Sequence, residues 1–74
     1  MTASTLIFNG RITTNNILAM MAVEKDVTKA VRELGYNPDK QGLTIEALSS
    51  GRCSVSFGKY WIGIWDTLRK TFVD

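Results

Sequence analysis

Seventy-four residues, 45% of them hydrophobic and 22% charged, predict one small domain at 1–74 with no room for a second. A chain of this length buries only about 60% of its unfolded surface, which argues against an enzyme with a deep, well-supported pocket. Nine Lys and Arg against seven Asp and Glu leave a net charge of +2, a small excess without a basic tail or stripe.

The single cysteine, Cys53, excludes an intrachain disulfide and a multi-cysteine zinc cluster, so the chain must hold together by packing, as cytosolic proteins do. The longest apolar run, residues 17–23, is far short of the roughly 20 residues that cross a bilayer, and the N-terminus lacks the basic start and apolar core of a signal peptide. A cytoplasmic location, no membrane contact and no cofactor are the expectation.

Residues 4–8, β-branched and aromatic, predict a first strand that stops at the turn pair Asn9-Gly10. Thr13, Thr14, Asn15 and Asn16 then supply N-cap side chains, and Gly35 follows Leu34 as a helix-terminating residue should, which predicts a helix over about 15–34. Met20, Val23, Val27, Ala30, Val31 and Leu34 recur at spacings of three and four and define its buried stripe, with Lys25, Lys29, Arg32 and Glu33 turned outward. In the first half Leu18, Ala19, Met21 and Ala22 leave no polar face. Either the first strand and its loop cover that end, the preferred reading, or it meets another molecule.

After the turn-rich connector 35–42 the period changes to two. Gly58-Lys59 suits a two-residue type II′ loop, which sets Phe57 against Tyr60, Val55 against Ile62 and Cys53 against Ile64 on one apolar face. The other face then carries Ser56–Trp61, Ser54–Gly63 and Arg52–Trp65. Ser49-Ser50-Gly51 suits a three-residue loop, placing Leu48 opposite Arg52 and aligning Ala47, Ile45 and Leu43 with Cys53, Val55 and Phe57. A last turn at 67–70 returns 71–73 along the preceding strand. The fold class expected is two-layer α+β: one helix packed on an antiparallel sheet, in the order β-α-β-β-β-β.

The chemistry available is sparse. There is no His, and the carboxylates Glu24, Asp26, Glu33, Asp39, Glu46, Asp66 and Asp74 are scattered, so no acid–base pair or activated nucleophile is legible. Cys53 faces inward as a structural thiol. The glycines match no phosphate-binding pattern and punctuate turns, except Gly63, which sits mid-strand between Trp61 and Trp65 either as a bulge or as a notch flanked by indoles.

The outer sheet face is the informative one. Thr44, Glu46, Ser54 and Ser56 are polar as expected, whereas Trp61, Trp65, Leu48 and, with a four-residue last turn, Phe72 are not. Arg52 across from Trp65 places both hot-spot residue types in one patch, which reads as partner contact, a homodimer face or a surface covered within the chain. Arg52, Arg69 and Lys70 fall at one end of the meander and with Trp65 could hold a phosphate and stack a base, but Asp66 and Asp74 dilute the field and three charges without a stripe read first as solvated turn residues.

In Gly63-Ile64-Trp65-Asp66 and Lys70-Thr71-Phe72-Val73-Asp74 the tail resembles short proteins encoded by phages and mobile elements. In size, single-layer sheet and lack of catalytic groups the chain is similar to small phage inhibitors of the anti-CRISPR kind. The resemblance carries over no residue role; it implies a non-enzymatic protein that binds and blocks a larger host protein or protein–nucleic-acid complex. The alternative reading is a small nucleic-acid-binding regulator using the Trp/Arg patch.

Overall fold

The computed structural model describes residues 4–38 and 40–74. Extended chain gives way to helix at Thr13, whose backbone is still in the β region and whose Oγ1 accepts the N–H of Asn16 at 3.1 Å. The helix, α1 (Thr14–Glu33), ends on a Schellman motif. Leu34 is its cap, Gly35 takes the left-handed conformation at φ +101°, Gly35 N donates to Arg32 O at 3.0 Å and Tyr36 N to Val31 O at 3.2 Å. Both ends are therefore closed by the residues whose side chains, or lack of one, suit the purpose.

Five strands follow the chain order in a single sheet: β1 (Thr5–Ile7), β2 (Leu43–Ala47), β3 (Arg52–Phe57), β4 (Tyr60–Asp66) and β5 (Thr71–Phe72). The sheet is mixed, not antiparallel throughout, because β1 runs parallel to β2 with Thr5, Leu6 and Ile7 beside Thr44, Ile45 and Glu46. The cause is the connection. Parallel neighbours need a crossover of a dozen or more residues, and α1 with its flanking loops supplies it.

The β2–β3 hairpin has the expected register, Leu43 with Phe57, Ile45 with Val55 and Ala47 with Cys53, and Leu48 N donates to Arg52 O at 2.7 Å. Two residues of its loop, Ser50 and Gly51, are left-handed. The β3–β4 hairpin starts as expected, with Phe57 against Tyr60 and Ser56 against Trp61, and then slips. Ile62 enters as an extra residue, so Val55 meets Gly63, Ser54 meets Ile64, Cys53 meets Trp65 and Arg52 meets Asp66. A one-residue slip exchanges the faces of everything beyond it.

The core follows from that exchange. Met20, Val27 and Val31 of α1 pack on Leu43, Ile45, Cys53, Val55 and Trp65, with Phe57, Ile62 and Phe72 at its margin. Ile64, expected inside, shares the outer face with Ser54, while Trp65, expected outside, is only 3% exposed. Leu34 is exposed as well. Beyond the helix end it is Tyr36 that covers Phe57, their ring centroids 5.3 Å apart.

Gly63 lies directly after the bulge at Ile62 and is no open notch. It lies on the same face as Val55 and is buried, and a Cβ there would run into the backbone carbonyl of Asp74 and press on Phe72. The tail is held in that place by Val73 N to Ile64 O at 2.8 Å and Ile64 N to Asp74 O at 3.2 Å.

Two indoles four residues apart thus have opposite fates, which urea denaturation will separate. Trp65→Ala is expected to cost about 3–5 kcal/mol, as large core truncations do, and Trp61→Ala less than about 1 kcal/mol. Gly63→Ala must displace the tail and is expected to cost about 1–3 kcal/mol. Equal losses for the two Trp variants would contradict the bulged register.

Candidate interaction surface

The sheet's outer face keeps one indole. Trp61 is 55% exposed, and its Nε1 donates to Ser54 Oγ across the strands at 3.0 Å, which fixes the ring's position against β3. Ile7 and Ile64 share this face, spaced by Thr44, Ser54 and Ser56. Trp65 and Phe72 are missing from it. They pack edge to face on the core side at 5.0 Å and 81°, which corrects their assignment to a binding patch, and Arg52 stands beside Asp66, not Trp65. Leu48, just past the end of β2, is exposed.

The turn between β4 and β5 is organised by one carboxylate. Asp66 Oδ1 accepts the N–H groups of Leu68 at 2.9 Å and Arg69 at 3.1 Å, and Lys70, left-handed at φ +55°, donates its N–H to Asp66 O at 2.8 Å. The Arg69 N–H, first among the causes, holds the Asp66 carboxyl below its ordinary 3.8; desolvation opposes it, and the Leu68 N–H and the charges of Arg69 and Arg52 reinforce it. Thr67 ties this turn to the β2–β3 loop, its N–H and its Oγ1 both reaching Gly51 O at 3.0 and 2.7 Å. The two turns therefore stand side by side, with Arg52, Arg69 and Lys70 all exposed near them.

Between these joined turns and the first half of α1 lies a cleft of about 540 Å³. Met20, Val23, Ala47 and Cys53 line it, with Arg52 and Lys70 at its border. A smaller cavity of about 230 Å³ adjoins it across Asp26 and Lys70, where Trp65 shows an edge. Burial pushes the Cys53 thiol above its ordinary 9.0, so at neutral pH it is protonated and a poor nucleophile.

The first half of α1 carries exposed apolar side chains. Ile17, Leu18 and Met21 are 41%, 59% and 54% exposed, and Ile12 before the cap is exposed too. At 100° per residue these three helical side chains share the flank turned away from the cleft. The expectation that the first strand and its loop cover this end is corrected. The chain passes from Ile7 to Thr14 in six residues, and Asn16 Nδ2, donating to Arg11 O at 2.7 Å, pulls that link toward the helix start instead of across its outer flank. The sequence signal for this surface was the unbroken apolar run itself.

Among the described residues no group of three His, Cys, Asp or Glu is placed to hold a metal ion, and no helix is long and apolar enough to cross a membrane. No protein-family model, curated protein or solved structure matches the chain.

Two measurements check this geometry. A carboxyl held below its ordinary value contributes stability that is present above that value and is lost as pH falls through the lowered one. On acidification from neutrality to below 3.8 the wild-type melting temperature is therefore expected to fall further than that of Asp66→Asn, whose amide oxygen still accepts but does not titrate. Parallel curves would remove the carboxylate from the account of the turn. For Cys53, labelling by a thiol reagent at neutral pH is expected to be slow in native protein and complete within minutes in denaturant; rapid native labelling would place the thiol outside the core.

Proposed function

We propose that this chain is a non-enzymatic binding protein that works by occupying the surface of a larger protein partner, in the manner of phage-encoded, anti-CRISPR-type inhibitors of a host nucleic-acid-handling enzyme. The observation that carries the reading is the exposed trio Ile17, Leu18 and Met21 on one helix flank. Exposed contiguous apolar surface on a small protein marks an interaction site far more often than an accident of packing. Nothing in the fold needs these three side chains where they are, since Met20, Val27 and Val31 supply the helix's share of the core.

Trp61 offers a second anchor on the opposite side of the molecule. It is exposed, aromatic and already held by Ser54, so a partner that contacts it spends little conformational entropy on ordering the ring. The chemistry of the sequence supports binding over turnover, because it has no His and its carboxylates are dispersed. The basic residues weigh less. Arg52 stands beside Asp66, and Arg69 is drawn to the same carboxylate.

The test is capture of a partner from cell lysate by immobilised wild type, Leu18→Glu/Met21→Glu and Trp61→Ser. Both variants alter exposed positions and are expected to melt within a few degrees of wild type. A protein retained by wild type and weakened at least about tenfold by the helix variant, with little change between about 50 and 200 mM salt, supports the reading. Retention that ignores the helix variant, or that collapses across that salt range as phosphate contacts do, overturns it.

A further inference from the structure

The cleft beside α1 differs from the apolar flank in being concave and charged at one border. Its floor is made by Met20, Val23, Ala47 and Cys53, and Arg52 and Lys70 stand at the end where the two turns meet. That border is built: Gly51 O accepts both the N–H and the Oγ1 of Thr67, so the loop preceding Arg52 and the turn ending in Lys70 are held together. Asp26 is the one carboxylate lining the cleft among the described residues. Asp66, beside Arg52 in the ladder, is not among the lining residues, and its carboxylate accepts the N–H groups of Leu68 and Arg69. Among the described residues two cations and one carboxylate therefore line the cleft beside its apolar floor, Asp26 and Lys70 also bordering the smaller cavity.

A site with these parts selects for shape and charge at once. Its volume of about 540 Å³ is within the range of roughly 300–1,000 Å³ typical of small-molecule sites, which are mostly apolar with a few convergent polar groups. We propose that the cleft binds a small amphipathic carboxylate, its apolar body on Met20, Val23 and Ala47 and its head group between Arg52 and Lys70. A neutral amphiphile satisfies the floor but brings no charge to the end where Arg52 and Lys70 stand; a cationic one meets them with like charge. This site lies on the other flank of α1 from Ile17, Leu18 and Met21, so it goes beyond the partner-binding reading and is decided separately.

Octanoate, octanol and octyltrimethylammonium, each kept below its aggregation threshold, serve as probes in an NMR titration of ¹⁵N-labelled protein. Octanoate is expected to give saturable shifts at the amides of Val23, Ala47 and Cys53 and to bind at least about tenfold tighter than the other two. Arg52→Gln/Lys70→Gln is expected to remove most of that preference, and Ala19→Trp, which puts an indole at the exposed cleft wall, to abolish the saturable shifts. Circular dichroism checks that each variant is folded, and if Ala19→Trp is not, the Arg52/Lys70 variant decides. Equal affinity for the three probes, undiminished octanoate binding in the folded variants, or shifts confined to Leu18 and Met21 would overturn the proposal.

Discussion

Between the pair Ser56–Trp61 and the pair Val55–Gly63, the ladder joining β3 to β4 takes in Ile62 as an extra residue. Most of the molecule depends on that insertion. It turns Trp65 toward α1, where the indole meets Phe72 edge-on and closes the end of the core. It also brings Gly63 under the tail, whose Asp74 carbonyl lies where any larger side chain would reach. A small domain has few large side chains to bury, and placing one Trp inside supplies more apolar contact than any single aliphatic residue here can offer. The other Trp is left outside by the same geometry.

The helix divides its work along its length. Its second half presents Val27 and Val31 to the sheet in the ordinary way, and the end is sealed by the bonds around Gly35. In its first half only Met20 is buried, and apolar side chains occupy the outer flank without cover. What stabilises this half is local: the Thr13 cap, the Asn16–Arg11 bond and good helix formers such as Leu18, Ala19 and Met20. A surface helix that is apolar on its solvent side yet well capped is a rigid display of side chains, which lowers the entropic cost of docking.

Most elements were legible because local chemistry and global packing agree there. Thr13, Gly35, Gly51 and the Gly58-Lys59 pair each mark a boundary or a turn that the structure contains, and the β2–β3 register follows from the loop alone. The bulge was harder to read. Gly63 signalled either a bulge or a notch, and strict alternation from the Gly58 turn carries a regular ladder straight through it, which puts Trp65 and Phe72 on the wrong face. The pairing of β1 was hidden differently: three residues hold too little pattern to specify a partner, though a strand followed by a long helix and a second strand suits a parallel crossover. Arg52, Arg69 and Lys70 were placed at one end of the meander by counting turns. What no count could supply is that Thr67 joins those turns and that a cleft opens beside them.

The sheet's strand order is the order of the chain, and this shapes how the molecule assembles. Three of its four pairings are closed by short turns, so β2 to β5 form a contiguous piece whose contacts are local and whose loop-closure entropy is small. The pairing of β1 with β2 is the exception, because it spans the whole helix. The N-terminal strand is therefore expected to dock late, with small rate effects on folding for substitutions at Leu6 and larger ones at Val55, a distinction that φ-values for the two positions would read directly. Until it docks, β2 exposes the backbone edge that β1 later covers, and the chain passes through a state able to accept a strand from elsewhere.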